Sequence, residues 1–179
     1  MRLKILVAAL LPLVLLFAAP PVSAQAPGRD ATREQLRALL TRAGARSDVN
    51  VAFRQSTKNP YNFVGSATGL ANSDSLEIVI SVTQSDTIGF RVYPHYNGNY
   101  ININRATDSV GLMRKLLYYS DQNFLFWGAD DTADVFCGYT VTLESGFPSD
   151  AIVVVLRSIR NTDKFVGQMR PFIDGSAAR

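Results

Sequence analysis

Ser75-Leu76-Glu77-Ile78-Val79-Ile80-Ser81-Val82, then Ser85-Asp86, then Ile88-Gly89-Phe90-Arg91-Val92-Tyr93: this stretch decides the fold. In its first segment Leu76, Ile78, Ile80 and Val82 share one face of an extended chain, with Glu77 and Ser81 on the other. In its last, Ile88, Phe90 and Val92 alternate with Gly89, Arg91 and Tyr93. Successive side chains of a strand point to opposite faces, so a period of two marks half-buried β-structure. Ser85-Asp86 supplies turn formers between the two runs, which makes them an antiparallel pair.

Reading outward, Tyr61 to Thr68 makes a preceding strand and Asn97-Gly98 a following turn. Tyr100 to Asn104 then reads as another strand, with Ile101 and Ile103 facing the core and Tyr100, Asn102 and Asn104 facing away. Further on, Phe124 to Gly128 and Val135 to Glu144 flank the connection Ala129-Asp130-Asp131-Thr132-Ala133-Asp134 as a hairpin. Three stretches carry helical spacing instead. Leu36, Leu39, Leu40 and Ala43 place a helix at Arg33 to Ala43, with Thr32 and Gln35 as a capping box and Gly44 at the position after the C-cap. Asp108 or Ser109 caps a second helix that carries Leu112, Met113, Leu116 and Leu117 and ends near Ser120-Asp121. Pro148 opens a third, whose stripe is Ala151, Ile152, Val155, Leu156 and Ile159, and Asp163 to Met169 adds a turn or two before Pro171. The order α-β-β-β-α-β-β-α predicts an α+β fold. It is an antiparallel sheet of about five to six strands flanked by about three helices on one face.

The N-terminus reads differently. Arg2 and Lys4 precede Ile5 to Ala19, fifteen residues without a charge, and Val22-Ser23-Ala24 offers small side chains for cleavage before Gln25. That is the order of a secretory signal peptide. A spanning helix needs about 20 apolar residues, so no stable membrane anchor is expected. The expectation is therefore a signal at residues 1–24, a flexible leader at 25–31, one domain at 32–174 and a tail at 175–179, in the periplasm or secreted. Removing 24 of 179 residues leaves 155, enough for one ordinary domain with a core.

Charge excludes a nucleic-acid partner as the simplest reading. The signal takes two of the 18 Lys and Arg while all 15 Asp and Glu stay, a balance of +1. Arg29, Arg33, Arg37, Arg42, Arg46, Arg54 and Lys58 concentrate early, where they suit the solvated side of an amphipathic helix. Cys137, the single cysteine, cannot close a disulfide within the chain and sits in a strand-like run as a buried thiol.

Candidate chemistry is sparse. His95, the only histidine, rules out a multi-histidine zinc site and follows Pro94 at a strand end, where a loop role is expected. Gly65-Ser66-Ala67-Thr68-Gly69 lacks the spacing of a nucleophile elbow. Asp130, Asp131 and Asp134 could ligate a hard cation, though they lack the glycine and distal glutamate of a calcium loop, and aspartates are common in turns for geometric reasons. A glycosidase-like pairing of Asp131 or Asp134 with Glu144 carries little weight. No cofactor is called for. Tyr93, Tyr96, Asn97, Asn99, Tyr100, Asn102 and Asn104 form the recognition candidate, with Tyr93, Tyr96, Tyr100 and Asn102 at its centre, because tyrosine and amide groups suit binding surfaces.

The helix Leu112-Met113-Arg114-Lys115-Leu116-Leu117, the segment Asn123-Phe124-Leu125-Phe126-Trp127, the strand ending Thr142-Leu143-Glu144 and the helix after Gly146-Phe147-Pro148 resemble the YbjN family of sensory transduction regulators. The resemblance runs from Leu112 to Asp174 and more loosely back to Thr32. It implies a fold like that of type III secretion chaperones, frequent dimers, and a binding or regulatory role without catalytic residues to carry over. This chain differs in its export signal and in lacking the strongly acidic character of secretion chaperones. The expected function is an exported, non-enzymatic module that recognises a protein, peptide or small ligand, with a homodimer as one partner arrangement. The alternative is a metal-dependent hydrolase or cation-binding protein built on Asp130, Asp131 and Asp134.

Overall fold

The alternation in the middle of the sequence is realised as β3 (Ser75–Val82) and β4 (Thr87–Tyr96). They pair antiparallel with Leu76 opposite Pro94, Ile78 opposite Val92, Ile80 opposite Phe90 and Val82 opposite Ile88, all buried. This computed structural model describes residues 28–178, so the expected export segment and the first three residues of the expected leader lie outside the described residues. Around the central pair stand β1 (Arg54–Gln55), β2 (Asn62–Ala67), β5 (Asn99–Tyr100), β6 (Phe126–Ala129) and β7 (Val135–Thr142). The seven strands form one antiparallel sheet in the order β1-β2-β3-β4-β7-β6, with β5 beside the end of β4.

Among the described residues four α-helices accompany the sheet: α1 (Arg29–Gly44), α2 (Ser109–Gln122), α3 (Ser149–Ser158) and α4 (Asp163–Ile173). Leu36 and Leu40 of α1, Leu112 and Leu116 of α2, Ile152 and Leu156 of α3, and Val166 and Met169 of α4 join Leu76, Ile78, Ile80, Phe90 and Val92 in one apolar cluster. All four helices thus bury their stripes against the same face of the sheet. The fold is the expected α+β class. No helix among the described residues is long and apolar enough to cross a membrane.

Several boundaries differ from expectation, each for a local reason. Helix α1 begins at Arg29, inside the expected leader, because the Arg29 guanidinium donates to Val82 O at 2.9 and 3.0 Å and lies 3.6 Å from the Tyr61 ring centroid. Thr32 is consequently buried in the first turn instead of capping it, and Gly28 holds the N-cap position. Gly44 is the last helical residue, packed beneath Val51, not the one after the cap. The strand expected over Tyr100 to Asn104 stops after Tyr100. Asn102 Oδ1 accepts the Asn104 N–H at 3.0 Å, which turns Ile103–Arg105 into a 3-10 turn and leaves Asn102 one bridge, to Asp134. Ala151 is exposed, outside the α3 stripe, and α4 runs through Pro171 to Ile173 at the loss of one backbone N–H donor near its end. Asp108 is the α2 cap, its Oδ1 accepting from Gly111 N at 2.8 Å. Asn97 and Gly98 have φ of 52° and 75°, the positive pair that a tight hairpin turn demands.

One polar clasp ties sheet to helix. Asp163, 6% exposed at the start of α4, accepts from the backbone N–H groups of Ala71, Asn72 and Ser73 and from the Asn72 and Ser73 side chains, at 2.5 to 3.2 Å. Burial works against its charge, but the Ser73 hydroxyl and the backbone N–H groups outweigh it and hold the carboxyl below its ordinary value. Arg160 and Arg170 add hydrogen bonds to carbonyls at Thr68 and Asn72 on either side.

Candidate functional site

The face of the sheet turned away from the helices carries the alternate residues. On β3 these are Glu77 and Val79, on β4 Arg91, Tyr93 and His95, and on β7 Phe136 and Gly138, by the parity of each strand against its core residues. Phe136 is the telling one. It is 6% exposed, yet it stands outside the apolar cluster that the helices share. Its cover comes from neighbours on its own face: the Tyr93 ring at 5.6 Å, the Phe126 ring edge-on at 5.9 Å, and the Arg91 guanidinium 4.7 Å from its centroid. Phe126 can lie there because residue 138 is glycine; a Cβ at Gly138 would come within 2.7 Å of the Phe126 ring and 2.8 Å of Phe90 O.

From Tyr93 the row continues to Tyr100, whose ring meets it edge-on at 5.8 Å, and to His95, 4.2 Å from Tyr100 between ring centroids. Tyr100 is placed by the two-residue β5, which sets it opposite His95. Its hydroxyl donates to Glu77 Oε2 at 2.8 Å. Burial and, next, this carboxylate partner push the phenol up to about 12, so it remains a neutral donor. Burial also raises Tyr93, with Arg91 pulling the other way. His95 Nε2 lies 3.6 Å from Glu77 Oε2 and has no hydrogen-bond partner among the described residues. Glu77 in turn borders an open depression of about 450 Å³ that reaches across β2 and β1 to Val64, Ser66 and Arg54.

The expected recognition residues divide. Tyr93 and Tyr100 meet on the helix-free face. Tyr96 has the opposite parity; it packs against the core cluster, and its hydroxyl donates to Asp174 at 3.0 Å. Asn102 is engaged by the acidic loop, donating to Thr132 O at 2.9 Å and Asp134 Oδ1 at 2.7 Å. His95, expected in a loop, sits within β4. Glu77, Arg91, Phe126 and Phe136 were not anticipated. The signal was available for Glu77 and Arg91, which share the parity of Tyr93 along paired strands, but not for Phe136, whose cover depends on the β4–β7 pairing.

The acidic loop is a turn held by its own side chains. Asp130 Oδ1 accepts from Thr132 N, Thr132 Oγ1 and Asp134 N at 2.8 to 3.0 Å. Burial opposes its charge, yet these bonds prevail and its carboxyl sits below the ordinary value. Asp131 points to solvent, and among the described residues no three acidic, histidine or cysteine side chains converge to hold a metal ion. Cys137 is fully buried in β7, and burial lifts its thiol up to about 12, which leaves it inert at neutral pH. Chemically, the helix-free face offers stacking rings, a phenol donor, a carboxylate and a guanidinium, while His95 has no hydrogen-bonded nucleophile. Family models, curated proteins and solved structures were all compared with the chain, and none matches.

Proposed function

We propose that the protein is an exported, non-enzymatic binding module of the YbjN-like kind, and that it recognises a protein partner through the helix-free face of its sheet. The observation that carries this reading is the burial of Phe136 outside the core, under Tyr93, Phe126 and Arg91. An aromatic and arginine cluster of this kind is what concentrates binding energy at protein interfaces. Phe126, 43% exposed at the margin, offers the contact area a partner would bury. Across β7 and β4 from it, Glu77 and the depression toward Arg54 supply polar groups that set orientation.

The first partner to test is a second copy of the chain, since closed dimers use one self-complementary patch. Sedimentation should show a concentration-dependent dimer that Phe126→Glu converts to a monomer that still unfolds cooperatively. If the wild type stays monomeric, a photoreactive side chain at position 126 should cross-link a protein from periplasmic extract, and the same group at exposed Glu34 on α1 should not. A monomer that captures nothing from position 126 would overturn the reading.

A further inference from the structure

On the opposite side of the sheet, where β6 meets the helices, the loop leaving α2 and the junction of α3 with α4 border a half-open cavity of about 140 Å³. Phe124, Leu125, Trp127 and Phe165 supply its apolar lining, with Lys164 and Asn161 beside them. Trp127 is 5% exposed, and its indole N–H has no acceptor among the described residues. A buried donor left unpaired in a packed interior calls for a partner. The hydroxyl and amide groups of the lining, Ser158, Thr162, Asn123 and Asn161, are not within hydrogen-bond reach of it, and three of them are engaged with helix carbonyls.

Charge in the cavity has one sign. Lys164 lines it, and no Asp or Glu does. Its neighbour Asp163 turns the other way and is occupied by the donors of Ala71, Asn72 and Ser73. Size narrows the choice, since a cavity of about 150 Å³ accommodates a single benzene ring, and the lining here is about equally polar and apolar. We infer that this cavity is a binding site for a small aromatic carboxylate. The ring lies among Phe124, Leu125 and Phe165, and the carboxylate accepts from the Trp127 indole N–H while facing the Lys164 ammonium. The site is on the helix side and independent of the aromatic row around Phe136.

Trp127 is the only tryptophan, so the indole N–H gives a single cross-peak in a proton–nitrogen NMR spectrum of the labelled protein. Titration with benzoate should move that peak saturably, with a dissociation constant in the millimolar range or tighter, as expected for so small a ligand. Benzamide, the neutral counterpart, should bind about tenfold more weakly. Lys164→Gln, a change at an exposed position, should weaken benzoate by about tenfold and leave benzamide unaltered. Trp127→Phe, followed by calorimetry, should weaken both. No saturable movement of the indole peak would overturn the site. Equal binding of the two probes with no effect of Lys164→Gln would overturn its assignment to a carboxylate.

Discussion

Phe90 and Phe136 are both nearly inaccessible, at 2% and 6% exposure, but they are buried by different means. Phe90 points into the face that four helices cover, within a cluster that runs from Leu36 to Met169. Phe136 points the other way and is sheltered by Tyr93, Arg91 and Phe126, side chains that themselves meet solvent. Burial on the first face is enforced by the whole architecture; on the second it is a local arrangement that an incoming surface can replace. The same strands therefore carry a structural face and a recognition face, separated only by the parity of their residues.

The comparison is most exposed to failure at its two phenylalanines. Phe90→Ala should cost about 3–5 kcal/mol, as deletion of a core ring does. Phe136→Ala, whose cavity opens toward solvent and can be closed by Phe126, should cost less than half as much. Denaturant unfolding of both variants decides this, and equal costs would make the helix-free face part of the core.

A loss between those two is expected at the clasp that anchors the helical layer. Asp163→Ala leaves several buried N–H groups without an acceptor and should cost about 3 kcal/mol. Because the folded carboxyl is held below its ordinary value, its contribution is present above about pH 4 and disappears as pH falls through the lower folded value. Melting temperature against pH should accordingly fall less steeply on the acid side in Asp163→Asn than in the wild type.

On the helix-free face the effect is smaller and has the opposite pH sense. The Tyr100 phenol is raised in the folded state, so its stabilising effect is complete below about pH 10 and is lost as pH rises toward the folded value of about 12. Tyr100→Phe should cost about 1 kcal/mol at pH 7 by removing the bond to Glu77, and should flatten the stability profile between those two pH values. The smallest change is expected at Asp131, which meets solvent while Asp130 and Asp134 hold the turn. Asp131→Asn should move stability by under about 0.5 kcal/mol, and its melting temperature should not respond to calcium or magnesium.

Much of this was readable from residue order. Leu76, Ile78 and Ile80, and then Ile88, Phe90 and Val92, identify their own inner face, and Asn97-Gly98 identifies its turn. Local chemistry was also where the reading slipped. Thr32 has the pattern of a cap, yet Arg29, drawn to Val82 O and the Tyr61 ring, starts the helix earlier. Asn102 alternates properly for a strand, yet its side chain competes for the backbone and bends the chain.

The sequence by itself determined which residues turn inward and that sheet and helices share one core, because side-chain direction follows from backbone period and apolar residues must leave water. Only the tertiary structure decided that Tyr93 and Tyr100 meet while Tyr96 does not, that Phe136 and Phe126 join them, and that Trp127 is left with an unpaired N–H beside Lys164. Those juxtapositions depend on β7 pairing with β4 and on α4 returning beside β6. Contacts between residues far apart in the chain are set by packing and loop closure, which no local period encodes.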